Sequence, residues 1–129
     1  MRVFVRFSPF AAERLTENAE DTWAEDVENG IAPARYGLSV IGDEVGSEVE
    51  KTLEVLCTET HLNGKKIGVL HELDLIEHGF QVVPDPTPRE PKHCLVGRGN
   101  LSARFDATSL ESLIRSGIRN NPRQKGIGA

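Results

Sequence analysis

Long hydrophobic runs are missing from this 129-residue sequence. The longest apolar stretches, such as Ile67–Leu70 and Phe80–Val83, contain only a few residues, whereas a membrane-spanning helix needs about 20. The residues after Met1 alternate charged with apolar side chains and lack the apolar core and small-residue cleavage site of a signal peptide. These absences argue against a membrane-spanning protein and predict a cytoplasmic location.

Cysteine and cofactor motifs are also scarce. Cys57 and Cys94 are the two cysteines and form neither a close pair nor a Cys-rich framework, so we interpret both as buried free thiols in a reducing compartment. The segment Gly97–Asn100 lacks the Lys-Ser/Thr of a phosphate loop and the third glycine of a dinucleotide fingerprint. We therefore predict a turn there and no cofactor.

Charge is divided unevenly along the chain. Residues 1 to 90 contain 18 Asp and Glu against 8 Lys and Arg, whereas residues 91 to 129 contain 2 against 7. The two parts carry about −10 and +5, for a net charge of −5. Such an asymmetry affects partner choice and encounter rate rather than the fold. It favours a binding function, and no motif in the chain specifies a reaction.

Hydrophobic periodicity and turn residues predict one α+β domain over residues 1 to 118, followed by a flexible basic tail over residues 119 to 129. We expect a mixed sheet of four or five strands and two or three helices. Residues 9 to 34 are acidic, with Trp23 as the single large anchor, and are predicted to be mainly loop. Strands are predicted near residues 2–7, 36–41, 65–70, 80–83 and 92–97, and helices near 47–60, 71–78 and 110–116.

Two helix starts have candidate capping residues. Ser47 and Glu50 form a Ser-x-x-Glu capping box, in which each side chain satisfies an amide at the helix start. Asp106 or Ser109 is expected to cap the last helix. Gly79 fits the left-handed position that follows a helix.

The middle of the chain carries a recognisable pattern. A strand and a short helix lead to the turn Pro84-Asp85-Pro86, and a strand opening with His93 follows. Over residues 36 to 97 this pattern resembles one that recurs in small uncharacterised bacterial proteins. The resemblance implies a bacterial or phage-borne origin, and it brings no activity with it.

The charge asymmetry leads us to predict a non-catalytic protein-binding role in a bacterial or phage system. An immunity protein, an antitoxin, a component of antiviral defence or an accessory subunit of a larger assembly would fit, because complementary charge speeds association with a protein partner. Nucleic-acid binding through the basic segment is an alternative, opposed by the net charge and by the lack of aromatic residues beyond Phe105 there. The predicted contact residues are Asp21, Glu25, Asp26 and Glu28 on an acidic surface and Arg115, Arg119 and Arg123 on a basic one.

A small enzyme, a hydrolase or transferase using His93 with Asp85 or Cys94, is the other alternative. The prolines on either side of Asp85 hold a carboxylate on a stiff turn close in sequence to His93, as an acid–base pair requires. His93 and Cys94 are adjacent on a strand, so their side chains point to opposite faces.

A metal site is a weaker alternative. His71, Asp74 and His78 are spaced to share one helix face, with Leu73, Leu75 and Ile76 largely on the other, and His and Asp are zinc or iron ligands. The two histidines would lie about 10 Å apart along the axis. We therefore interpret the set as the polar face of an amphipathic helix.

Overall fold

The first strand, β1 (Arg2–Phe7), lies inside the sheet and is covered on both faces. In the computed structural model, which describes residues 1–124, Val3 and Val5 pack on one side of this strand and Phe4 on the other. All three are almost completely buried. The predicted strand over residues 2 to 7 is confirmed.

In the described part of the chain five further strands belong to the sheet, and every neighbouring pair is antiparallel. They are β2 (Leu38–Glu44), β3 (Lys66–His71), β4 (Gln81–Pro84), β5 (His93–Gly97) and β6 (Ile118–Asn120). The order across the sheet is β4-β5-β2-β1-β3-β6. The α+β class is confirmed, with six strands rather than four or five and an antiparallel rather than mixed sheet.

Within residues 1–124, four helices rather than the two or three expected cover the two faces. They are α1 (Ala12–Glu28), α2 (Val49–Glu59), α3 (Glu72–Glu77) and α4 (Thr108–Ser116). Leu15, Leu75 and Leu110 of α1, α3 and α4 pack with Phe4 on one face. Leu53 and Leu56 of α2 pack with Val3 and Val5 on the other. No helix within residues 1–124 has the length and apolar character needed to cross a bilayer.

The prediction that residues 9 to 34 are mainly loop is wrong, because 17 of them form α1. Its buried positions are few: Leu15, Ala19 and Asp26. Because the buried stripe is narrow and the helix is acidic, this part of the sequence shows little hydrophobic periodicity. Packing against the sheet, rather than a strong helix signal of its own, stabilises α1.

The helix starts differ from the capping predictions. Glu48, not Ser47, precedes α2, and its side chain makes no capping hydrogen bond among residues 1–124. At α4 the residue directly before the helix is Ala107, and Asp106, one position earlier, accepts a hydrogen bond at Oδ1 from the Thr108 N–H at 2.9 Å. Gly79 follows α3 with a φ of +79°, the left-handed conformation expected there.

Part of the predicted basic tail belongs to the sheet. Arg119 lies in β6 opposite Ile67 of β3, and the Asn121 N–H donates to the Lys65 carbonyl at 2.9 Å. Pro122–Gln124 form a 3₁₀ turn. The domain therefore extends at least to residue 124, and the remainder of the predicted tail, residues 125 to 129, lies outside the described residues.

Candidate ligand-binding site

Strands β1 and β2 separate near Arg6. Their pairing ends at Val5 and Ile41, although β1 continues along β3 to Phe7. Side chains then satisfy the backbone of Ser39 in place of β1. Its N–H donates to Asn18 Oδ1 at 2.8 Å, and its carbonyl accepts from Arg6 Nη1 at 2.9 Å. The sheet therefore opens here without leaving Ser39 unpaired.

A cavity of about 340 Å³ occupies this opening, which is near the lower end of the range for small-molecule sites. Its apolar residues come from β1, β2 and the segment after α2. Its polar residues come from β1 and the position after it, from α1 and β2, from the segment after α2, and from the loop before β5 and the start of β5. The apolar side chains are Val5, Phe7, Val40, Ile41 and Leu62, and the polar ones are Arg6, Ser8, Asn18, Ser39, His61, Thr87, Glu90 and His93.

His93, at the start of β5, is oriented by Asp85. Its Nδ1 lies 2.9 Å from the backbone oxygen of Asp85 and 3.2 Å from Asp85 Oδ2. Both oxygens are acceptors, so in the neutral ring the proton is on Nδ1 and Nε2 carries the lone pair. The sequence prediction that Asp85 and His93 lie together agrees with this geometry.

Asp85 is itself held by Arg35. Arg35 Nη1 donates to Asp85 Oδ1 at 2.7 Å, while its Nε and Nη2 donate to the two oxygens of Asp26 at 2.8 and 3.0 Å. Hydrogen bonds to both carboxylates raise the pKa of Arg35, and those from Arg35 hold the pKa of Asp26 below its usual value. A continuous chain of charge-assisted contacts thus runs from α1 to His93.

Glu90, in the loop before β5, also lines the cavity. It is only 7% exposed, and its Oε2 accepts from the Thr60 hydroxyl at 2.6 Å and lies 2.8 Å from His61 Nδ1. The Glu90 N–H donates to Thr87 Oγ1 at 2.9 Å. These contacts hold the proline-rich loop between β4 and β5, residues 85–92, against the segment that follows α2.

Arg6 is the unusual charge in this cavity. It is partly buried, and desolvation lowers the pKa of its guanidinium. Among residues 1–124 it forms no ion pair, and its buried Nε has no hydrogen-bond partner. A buried donor without a partner costs about 1–3 kcal/mol, and such a cost in a cavity points to a functional role for the side chain.

Cys94 does not belong to this site. It packs with Phe4 and Leu38 on the other face of the sheet, and its Sγ lies 3.6 Å from the Lys92 carbonyl oxygen. Burial raises the pKa of its thiol, which disfavours the thiolate needed for nucleophilic attack. The structure therefore brings His93 together with Asp85 and separates it from Cys94.

The residues of the metal-site alternative are not brought together. His71 ends β3, and His78 Nδ1 lies 2.8 Å from the Asp74 carbonyl oxygen. Within the part of the chain that the structure describes, no three His, Cys, Asp or Glu side chains are placed to hold a metal ion. Leu73 and Ile76, predicted to lie on the inner face, are each 56% exposed.

The predicted acidic surface is only partly formed. Asp21, Glu25 and Glu28 are exposed on α1 at a spacing that places them on one side of the helix. Asp26 is buried, at 4% exposure, and is paired with Arg35. We therefore remove Asp26 from the predicted contact residues.

The predicted basic residues are occupied within the chain. Arg115 pairs with Glu111 one helical turn away, at 2.9 Å. Arg119 pairs with Glu50 of α2. Arg123 Nη1 donates to two backbone carbonyls that follow α2. These arginines attach the end of the domain to its own fold, which leaves less positive charge for a partner.

Sequence reasoning missed Arg6, His61 and Glu90. Arg6 had a detectable signal, because it is a charge on a strand otherwise rich in buried apolar residues. His61 and Glu90 had none, since they are 29 positions apart and meet only when the Pro-rich loop folds against the segment after α2.

Comparison of the chain with known protein families, curated proteins and solved structures finds no match. No activity, substrate or partner is thereby suggested by a relative. The chemistry of the cavity and of the surface is what bears on function.

Proposed function

We propose that the cavity binds a small organic anion and that His93 takes up a proton from the solvent when the anion binds. The observation that carries this proposal is the presence of the uncompensated Arg6 charge and the Asp85-oriented His93 in one cavity. The proposal takes His93 and Asp85 from the hydrolase or transferase alternative of the sequence analysis, adds Arg6 and leaves out Cys94.

Arg6 is the anchor for the anion. A guanidinium stays charged under all ordinary conditions, and its planar donors suit carboxylate and phosphate oxygens. Attraction between opposite charges is stronger in a cavity with apolar walls than in water. The apolar side chains from β1 and β2 bury the remainder of the ligand.

His93 is the group that takes up the proton. Its Nε2 makes no hydrogen bond within residues 1–124, so its lone pair is available to a ligand. When Nε2 accepts a proton, the Asp85 carboxylate stabilises the resulting imidazolium. Histidine held by a carboxylate is a common general base.

Replacing Arg6 with methionine is expected to weaken anion binding at least about tenfold, a loss of about 1.4 kcal/mol. The measurement is a titration of small carboxylates and phosphates into ¹⁵N-labelled protein, followed by the amide signals of Ser39 and Thr87. Arg115→Met, outside the cavity, is the matched control and should bind like the wild type. Saturable binding that is unchanged in Arg6→Met would contradict the proposal.

The protonation of His93 on ligand binding is measured by a separate experiment. Calorimetry of the same ligand in two buffers of different ionisation enthalpy measures the protons taken up on binding. We expect uptake with the wild type and with the exposed-histidine control His71→Gln, and its loss in His93→Gln. Equal uptake in all three proteins would remove His93 from the proposal.

A second candidate is the protein-binding role, now resting on α1 alone. Asp21, Glu25 and Glu28 are exposed and form no ion pair within residues 1–124, which supports contact with a basic surface. An immunity protein, an antitoxin, a component of antiviral defence or an accessory subunit would use such a surface. Net charge opposes nucleic acid as the partner.

If this role holds, neutralising Asp21, Glu25 and Glu28 together should abolish capture of a basic protein from source-cell lysate. Capture by the wild type should itself decrease between about 0.1 M and 0.5 M salt, as exposed charges become screened. The control neutralises three exposed carboxylates elsewhere, Glu54, Asp74 and Glu77, and should retain the partner. Equal capture by both triple variants would exclude α1 as the contact.

A further inference from the structure

We propose that the ligand of this cavity carries a single negative charge, as a carboxylate on a compact apolar body. This inference rests on the anion-binding function proposed above and specifies the chemical class of the ligand. It follows from the balance of charges on the cavity wall, from the fixed position of Glu90 and from the size of the space.

The described lining of the cavity offers one permanent cation without a counter-charge, Arg6, because the imidazolium of His93 faces the Asp85 carboxylate. Among its described lining residues, Arg6 is the only Lys or Arg, and Glu90 is the only Asp or Glu. Arg6 and Glu90 form no ion pair with each other. The cost of taking an ion out of water rises with the square of its charge, whereas attraction to Arg6 rises only in proportion to the charge. One arginine therefore offsets this cost better for a monoanion than for a dianion, and repulsion by Glu90 is twice as large for the dianion.

Glu90 cannot turn away from the cavity without losing its own contacts. Its Oε2 is held by the Thr60 hydroxyl and by His61, and its backbone N–H is held by Thr87. Two neighbouring side chains thus hold this carboxyl oxygen in place. The negative wall is therefore a fixed part of the site.

The remaining surface determines the body of the ligand. Five apolar side chains from β1, β2 and the segment after α2 surround a space of about 340 Å³. Such a volume takes one ring or a short aliphatic chain, and an apolar wall favours a body without further polar groups. The guanidinium of Arg6 adds planar donors that match the two oxygens of a carboxylate.

The test uses benzoate, benzamide and phenyl phosphate, which share one ring and differ in charge. At about pH 8 phenyl phosphate is a dianion, since the second ionisation of a phosphate monoester lies near 6. Calorimetric titration of the wild type should give saturable binding of benzoate. Benzamide and phenyl phosphate should each bind at least about tenfold more weakly.

The variant Glu90→Gln then removes the negative charge of Glu90, so that its effect on binding can be measured separately. The amide preserves the shape and still accepts from Thr60, so circular dichroism and thermal unfolding should report a folded protein. We expect phenyl phosphate to bind at least about tenfold more tightly than to the wild type, while benzoate changes by less than about threefold. Glu54→Gln, an exposed position on α2, should change neither.

The outcomes separate this inference from the function on which it rests. Phenyl phosphate binding as tightly as benzoate, with both lost in Arg6→Met, would retain the anion site and overturn the monoanion class. Dianion binding that is unaffected by Glu90→Gln would overturn the role of Glu90. The proposed function itself would be overturned if no anion bound, or if anions bound to Arg6→Met as tightly as to the wild type.

Discussion

Replacing Phe4 with alanine is expected to lower the free energy of unfolding by about 3–5 kcal/mol. Phe4 has no exposed surface and lies in β1, within the cluster that α1, α3 and α4 cover. Because packed elements surround the ring on that face, they can collapse only partly into the space left by the substitution. Urea unfolding at neutral pH measures the loss, and a change below about 1 kcal/mol would contradict this packing.

Gly42 provides a sharper version of this test. It lies directly opposite Phe4 in the β1–β2 register, and a Cβ built at Gly42 would lie 2.1 Å from Cδ1 of the Phe4 ring. Gly42→Ala should therefore cost about 1–3 kcal/mol by overpacking. In the Phe4→Ala background the ring is absent, and most of that clash disappears.

The double-mutant cycle should accordingly be non-additive. The double variant should be more stable than the sum of the single losses predicts, by at least about 1 kcal/mol. Agreement with that sum to within about 0.5 kcal/mol would mean that the two sites do not interact. The control pair is Phe4→Ala with Gly46→Ala, because Gly46 has open space around its Cβ position.

The second large effect is expected for Asp26→Asn, which should lower stability by about 2–4 kcal/mol at neutral pH. Asp26 accepts three hydrogen bonds from Arg35, at 2.8, 2.9 and 3.0 Å. Asparagine has one acceptor oxygen and no charge, so Arg35 loses half of its counter-charge. Because Arg35 is 26% exposed, water offsets part of this loss.

The effect of Asp26→Asn should depend on pH with a defined sign. Arg35 lowers the pKa of Asp26 in the folded state. Its stabilisation is therefore complete above the unfolded value of about 3.9 and is lost as the pH falls through the lower folded value. The difference in the free energy of unfolding between wild type and Asp26→Asn should therefore become smaller below about pH 4.

Urea unfolding from neutral pH to about pH 3 tests this dependence, with Asp21→Asn as the exposed control on the same helix. A difference between wild type and Asp26→Asn that stays constant over this range would show that the carboxylate charge is not what stabilises the fold. The control should alter stability by less than about 0.5 kcal/mol.

Local patterns predicted those elements whose own residues determine them. The alternation in β1, the stripe of Leu53 and Leu56 in α2, and the turn at Gly79 are local signals, and all three are found in the structure. The strand β6 has only three residues, with one partly buried side chain, so its pairing with β3 defines it rather than its own pattern.

The candidate site also has one part that local sequence determines and one part that only the fold brings together. Asp85 and His93 are eight positions apart on a proline-stiffened segment, and local reasoning placed them together. Arg6 enters the cavity only because β1 and β2 separate beyond Val5, which is a property of register. No composition or motif encodes that separation of the strands, so the place of Arg6 in the site could be found only from the folded chain.

The inner position of β1 has a consequence for how the sheet assembles during synthesis. β1 leaves the ribosome before β2 and β3, the strands that pair with its two edges. Until those partners emerge, both edges of a largely apolar strand remain open to other chains. β5 and β6, which pair with β2 and β3, are synthesised later still. We therefore expect nascent chains that end before β3 to be the form that aggregates and binds chaperones.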